Sequence, residues 1–260
     1  MKLITKDGIS YVTFTIFQKY PLIAAVSTRL GGVSKPPFDS LNMGLPTGDD
    51  VAAVLENRKR FFHALGSDAS RLVCAKQVHG THVEVVGKKD CGRGALSMEN
   101  TIPNCDGLMT AEKQVPIIMN YADCTPLLFY DPVKEAIALS HGGWRGTAGN
   151  IAGKTIEKMK RVFGCKGEDI LCAIGPAIGK DDFEVGMDVI EAFQHLFSPK
   201  EMQTLSRKKE NGKYFFDLHG ANRLLLEKEG IPQEHIEDCG ISNYAQDDLF
   251  YSYRKSGGRT

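Results

Sequence analysis

Three residues of this chain could do chemistry together. Cys124 lies in "YADCTPLLFYDP" (121–132), between an aspartate and a Thr-Pro, at the entry to an apolar run. His141 lies in "SHGGWRG" (140–146), in front of two glycines, and His79 in "QVHG" (77–80), in front of one. A glycine at a strand end lets backbone or ligand approach closely, because no Cβ intervenes. One cysteine and two histidines at three strand ends can converge, and they suit a catalytic zinc with its fourth position open. Two other readings stand beside this one. Cys124 could be a thiolate nucleophile with a histidine as its base. It could also be a small core hydrophobe, with both histidines structural. Strand ends can meet at any separation, so spacing does not choose between them.

The neighbours of these residues suggest roles around such a centre. Asp123 could carry a proton for a metal-activated water, or form the turn, since adjacent strand residues face opposite sides. Arg145, in "HGGWRGTAGN", follows a strand-to-helix turn suited to an oxyanion such as phosphate. Arg29, in "TRLGG", is a second candidate for substrate binding, and Asn42, in "SLNMG", could hydrogen-bond substrate or shape its turn. For each arginine a structural ion pair is the competing reading. Trp144, the only tryptophan, reads as core. His63, His195 and His219 fall in helical segments and His235 in a polar loop, where structural histidines are the default. Two motifs are decoys. "AGNIAGKT" (148–155) ends like a phosphate loop but lacks the required glycine. "HVE" (82–84) is half of a zinc deaminase signature whose P-C-x-x-C half is missing.

The elements that must position these residues alternate between strands and helices. "YVTFTIF" (11–17) alternates with period 2 and "LIAAVSTR" (22–29) reads as a buried strand. Residues 49–66 read as a helix, with acidic residues at the start, apolar residues at helical spacing and Gly66 at the end. Residues 71–87 read as one long strand or a bent pair. Short strands are expected at 115–121, 126–131 and 135–142, with a turn at Asp131-Pro132. A helix over 147–163, a strand opening 169–179, a helix at 187–197 and a strand-then-helix at 214–230 follow. The stretch 86–107 reads as a surface excursion, and "LFYSYRKSGG" (249–258) as an edge strand or tail. The expected fold is α+β: a single compact domain over residues 1–260, with layered mixed β-sheets flanked by helices.

Bulk composition narrows the function. The 260 residues are 42% hydrophobic and 25% charged, with net charge zero. No basic excess points to a nucleic-acid or anionic-membrane binder. No apolar stretch reaches membrane-spanning length, and the first residues lack a signal-peptide pattern. Seven scattered cysteines without a CxxC pair suggest a reducing cytoplasm.

"QVHG", "CDGLMT" (105–110), "ADCTPLLFYDP", "SHGGWRGTAGNI", "GPAIG" (175–179) and "EVG" (184–186) appear in order, with "TRLGGVS" and "SLNMG" before them and "FYSYRKSG" after. This ordered set resembles the YfiH/laccase-domain family, also called the multicopper polyphenol oxidase or peptidoglycan editing factor family. Asp182 and Phe183 stand where many relatives have Cys and Tyr, and Cys105 where relatives often have Ala. The resemblance implies a compact α+β fold and a metal site formed by His79, Cys124 and His141. It implies zinc, with copper as the alternative metal, and a nucleoside and phosphate as small-molecule partners. The implied activities are phosphorolysis of adenosine, inosine, guanosine and methylthioadenosine, and hydrolytic deamination of adenosine. Phenol oxidation and editing of cell-wall precursors by a cysteine-type hydrolase are implied by other relatives. A coupled copper cluster would need more imidazoles than these motifs carry. A metal-stabilised binding module without catalysis is the third class of reading.

Overall fold

The computed structural model describes residues 1–259. At its centre is a six-stranded mixed sheet, ordered Ile236–Asp238, Leu171–Ile174, Thr125–Asp131, Ala136–Gly142, Gly107–Thr110, Val83–Val85. The middle pair forms an antiparallel hairpin that puts Thr125 opposite Gly142 and Pro126 opposite His141. The turn expected at Asp131-Pro132 closes it: Asp131 Oδ1 accepts bonds from the Val133 and Lys134 amides at 2.8 and 2.9 Å. All seven residues of Thr125–Asp131 are buried, which explains an apolar run without alternation.

Both faces of the sheet are covered. Leu127, Phe129, Ala136 and Ala138 face the main core, with Ile151, Ile156 and Met159 of one helix and Leu225 and Leu226 of another. Leu128 and Tyr130 point the other way, onto Val12 of an N-terminal strand and Phe14 and Phe17 just after it. Three smaller sheets surround this layer, one of them the parallel pair Val73–Cys74 and Ile117–Ile118. The mixed, layered α+β reading therefore describes the molecule.

Several elements follow their sequence signals closely. The helix Val51–Ala64 starts where Asp50 accepts the Ala52 amide and stops before Gly66, whose φ is 71°. Asp217 caps the helix Leu218–Lys228 through the Gly220 amide. Others differ for local reasons. The helix expected over 147–163 is two, Trp144–Ala148 and Ile151–Phe163, because Asn150 adopts φ 57° and caps the second through Gly153 N. The strand expected over 71–87 survives only as Val73–Cys74 and Val83–Val85. Between them the chain loops out and carries His79. Of the two readings for 249–258 the tail holds: the segment has no strand, and residues 253–257 form turns. The helix Pro199–Leu205 was not anticipated, although Ser198 and Glu201 form a capping box that the sequence displays.

Candidate metal centre

Two of the three donors depend on one carboxylate. Asp106 is fully buried just before the strand Gly107–Thr110. Its Oδ2 accepts the amides of Val78 and Gly80 at 3.1 and 2.8 Å, and its Oδ1 accepts the amide of His79 at 2.9 Å. Three consecutive N–H groups thus wrap one anion, the concave arrangement that backbone amides offer to negative charge. This wrap holds His79 at φ 59°, a conformation that non-glycine residues seldom adopt. The same Oδ1 lies 3.0 Å from His141 Nδ1. An ionised carboxylate only accepts, so Nδ1 carries a proton, and Nε2 is the ring nitrogen left to face a metal. The backbone completes the tie: the His141 amide donates to Asp106 O at 2.8 Å.

The third donor arrives on the neighbouring turn. Gln77 and Asn120 exchange two bonds of 2.9 Å, from Gln77 Nε2 to Asn120 O and from Asn120 N to Gln77 Oε1. These clamp the loop bearing His79 to the segment leading into Cys124. Asp123 takes φ 81°, and Ile178 N donates to its carbonyl at 3.0 Å. The donor atoms of His79, Cys124 and His141 all lie within 4.8 Å of one another. Gly143 leaves the space between them open. A Cβ there would fall 2.8 Å from Cys124 Sγ and 3.2 Å from His79 Cδ2. The second glycine of "SHGG" is therefore required by close approach, as the motif suggested.

The electrostatics suit a cation. Burial pushes the Cys124 thiol up, but hydrogen bonds to His141 and His79 and their nearby charge outweigh it and bring it down to about 7. Burial pulls His141 down, but Asp106 and Cys124 lift it to about 9. Tyr121, its ring centroid 5.6 Å from that of His141, is held well above the usual phenol range by burial. A thiolate and two imidazoles, one with its tautomer set by a buried carboxylate, are the donors that zinc or copper takes.

A cleft of about 1570 Å³ borders the three donors and exceeds what a single small ligand occupies. Arg145 and Trp144 line it, with the Arg145 guanidinium 4.3 Å from the Trp144 ring centroid. Arg145 forms no ion pair among the described residues, and Trp144 is half-buried against the main core. Asn42 also lines the cleft, but its side chain is engaged: Nδ2 donates to Thr47 Oγ1 and Asp49 Oδ2, and Oδ1 accepts Gly44 N. Asp123 turns its carboxylate to Ser252 Oγ and Arg254 N, both at 2.6 Å, and burial raises its pKa despite these bonds. Arg29 is not on the cleft wall. It pairs with Asp39 at 3.2 Å, donates to Asp39 O and Asp247 O, and stacks on Tyr251.

Sequence reasoning missed Asp106, Gln77 and Asn120 as organising residues. The Asp106 signal was present in "CDGLMT": a lone carboxylate directly ahead of a strand that is wholly buried. Gln77 lies in the quoted "QVHG" and Asn120 one residue before "YADC".

Comparison with known proteins gives a consistent picture. The family model described as multi-copper polyphenol oxidoreductase laccase matches residues 23–260. Purine nucleoside phosphorylase YlmD of Geobacillus stearothermophilus is 39% identical over 92% of this chain and 86% of its own. Adenosine deaminase RL5, from an unknown prokaryotic organism, is 33% identical over 92% of both chains. The crystal structure of YlmD from Geobacillus stearothermophilus superposes with a TM-score of 0.93 at 36% identity, covering 99% of this chain and 95% of that one.

Proposed function

We propose that this chain, which belongs to the multi-copper polyphenol oxidoreductase laccase family, is a zinc-dependent enzyme that cleaves purine nucleosides by phosphorolysis and also deaminates adenosine. Adenosine, inosine, guanosine and methylthioadenosine are the expected substrates. The observation that carries the reading is the convergence of His79, Cys124 and His141 on a large cleft, with Asp106 fixing two of them. Support comes from relatives that are named purine nucleoside phosphorylases and one named adenosine deaminase.

Each residue then has a task. His141 presents Nε2 and His79 is held in place by the amide wrap on Asp106. Cys124, its thiol brought down to about 7, reaches the thiolate form near neutral pH. A bound zinc would supply a Lewis acid and lower the pKa of a water for deamination. Arg145, free of ion pairs among the described residues, would hold phosphate for attack on the ribose anomeric carbon as the purine leaves. Trp144 braces Arg145 from one face. Asp123 holds the turn that presents Cys124, since both its oxygens accept bonds from the 252–254 segment. Asn42 and Arg29 shape the surrounding loops through the bonds they already make. Seven unpaired cysteines fit a reducing cytoplasm, and no helix among the described residues is long and apolar enough to cross a membrane.

The same two-His, one-Cys set would accept copper. A coupled copper cluster for phenol oxidation needs more imidazoles; among the described residues this trio is the one grouping of three or more metal-type donors. The low thiol pKa favours a second reading, a cysteine-type hydrolase acting on cell-wall precursors. The two separate cleanly. Purified protein is analysed for metal and incubated with inosine, with and without phosphate, before and after chelation. Free hypoxanthine that requires both phosphate and metal supports the phosphorylase. No hypoxanthine from inosine, together with hydrolysis of a cell-wall peptide that survives chelation but not alkylation of Cys124, overturns it in favour of the hydrolase.

A further inference from the structure

Residues 250–257 lie along the cleft as a strap, and their anchoring singles out one side chain. Ser252 Oγ and Arg254 N both donate to the Asp123 carboxylate at 2.6 Å, one residue from Cys124. Asn243 Nδ2 donates to Tyr251 O at 2.8 Å, and Tyr251 Oη donates to Phe38 O at 2.7 Å. Arg254 Nη1 reaches Glu184 O at 2.9 Å while its guanidinium covers Phe183. The strap is thus bolted on both sides of Tyr253, and the nearest bolts fix it relative to the metal donors.

The aromatic rings on the cleft wall differ in what already covers them. Trp144 is covered by Arg145, Tyr251 by Arg29, Phe183 by Arg254, and Tyr130 packs on Tyr20. Phe61 and Phe62 pack on each other and Tyr121 packs against His141. Phe250 is core. Phe38 and Tyr253 line the cleft with no aromatic or cationic partner among the described residues. Phe38 is half-buried, whereas Tyr253 is 57% exposed, high for so large an apolar ring. Gly258 keeps space beside its hydroxyl: a Cβ there would lie 3.2 Å from Tyr253 Oη.

We propose that Tyr253 is a substrate-binding residue, the aromatic face on which the flat purine of the nucleoside stacks, and that Asp123 is the positioning residue that holds it there. This rests on the nucleoside reading above. A base is a π-face that any aromatic ring accepts, so the contact grips purines without choosing among them. It also gives the Asp123 carboxylate a function that needs no proton transfer.

The test is steady-state phosphorolysis of inosine by the zinc-loaded protein. Tyr253→Ala should raise KM by about 5- to 160-fold, the range of base–aromatic stacking removed by alanine, with kcat changed by less than about twofold. Tyr253→Phe keeps the ring and should restore the wild-type KM. Asp123→Asn should raise KM as well. In the double variant Asp123→Asn/Tyr253→Ala KM should rise no further than in Tyr253→Ala alone, because the two raise KM through one contact, while any loss of kcat reports the turn that presents Cys124. Tyr253 is exposed, so its substitution leaves the fold intact. An unchanged KM in Tyr253→Ala, or a rise confined to Phe38→Ala, overturns this inference while leaving the phosphorylase reading standing. Wild-type protein that neither binds nor cleaves any purine nucleoside overturns both.

Discussion

Asp106→Asn changes one oxygen to an amide nitrogen and tests how the centre is held. The carboxylate accepts four bonds, two at each oxygen. In asparagine, one of those positions becomes an N–H₂ donor. If the nitrogen takes the Oδ2 position, it faces the N–H groups of Val78 and Gly80, and two part-buried donors lose their acceptor. If it takes the Oδ1 position, it faces the His79 amide and His141. His141 must then accept at Nδ1 and move its proton to Nε2, the atom that would hold the metal. Either orientation leaves at least one part-buried donor unpaired, at about 1–3 kcal/mol for each such group. One or two of them give a loss of roughly 1–6 kcal/mol. For a chain of this size that lowers the melting temperature by roughly 2–24 °C, at about 2–4 °C per kcal/mol. Zinc affinity, measured by chelator competition, should fall by about 10- to 100-fold, as for other second-layer partners of metal-bound histidines. Asp106→Asn protein that binds zinc within twofold of wild type and melts at the same temperature would refute the reasoning.

Further expectations concern the thiols and the scaffold. In metal-free protein, alkylation of Cys124 should rise with pH around a midpoint near 7, because the thiolate forms as pH passes the lowered pKa. Burial pushes the thiols of Cys74, Cys105, Cys165, Cys172 and Cys239 up instead, so peptide mass spectrometry at pH 7.5 should find Cys124 modified ahead of these five. Zinc should protect it; modification of Cys124 that is equally fast with zinc bound would argue against ligation. Asp50→Ala removes the side-chain cap on the Ala52 amide and should cost about 1 kcal/mol of stability, seen as a melting point roughly 2–4 °C lower. Its activity should stay at the wild-type level at 25 °C, since the cap is remote from the donors. Ile156→Ala empties a fully buried site in the main core and should cost about 2–5 kcal/mol in denaturant unfolding.

What was legible in the sequence follows from how local each signal is. The Asp50 and Asp217 caps, the Asp131 turn and the buried hairpin strand depend on residues within a few positions of each other, and the sequence displays them. His79 and His141 announced themselves by type and by flanking glycine, Cys124 by type and by its place at the entry to an apolar run, and the motif order tied them together. The roles of Asp106 and of the 252–254 segment could not be read this way. Asp106 is 26 to 28 residues from the three amides it binds and 35 from His141. Asp123 meets Ser252 and Arg254 from 129 and 131 residues away. Such pairings are set by sheet topology, which places Gly107–Thr110 beside Ala136–Gly142. The helix break at Asn150 was hidden for another reason: apolar helical spacing continues through it, while a left-handed residue restarts the ladder.

The central claim is that metal held by His79, Cys124 and His141 supports phosphorolysis in the adjoining cleft. The direct measurement is a titration of zinc into metal-stripped protein, following phosphate-dependent release of hypoxanthine from inosine. The account predicts a rise that saturates at about one zinc per chain, by the single donor cluster found among the described residues, and no rise in Cys124→Ala. Full activity in the stripped protein, or undiminished turnover by Cys124→Ala, would contradict it.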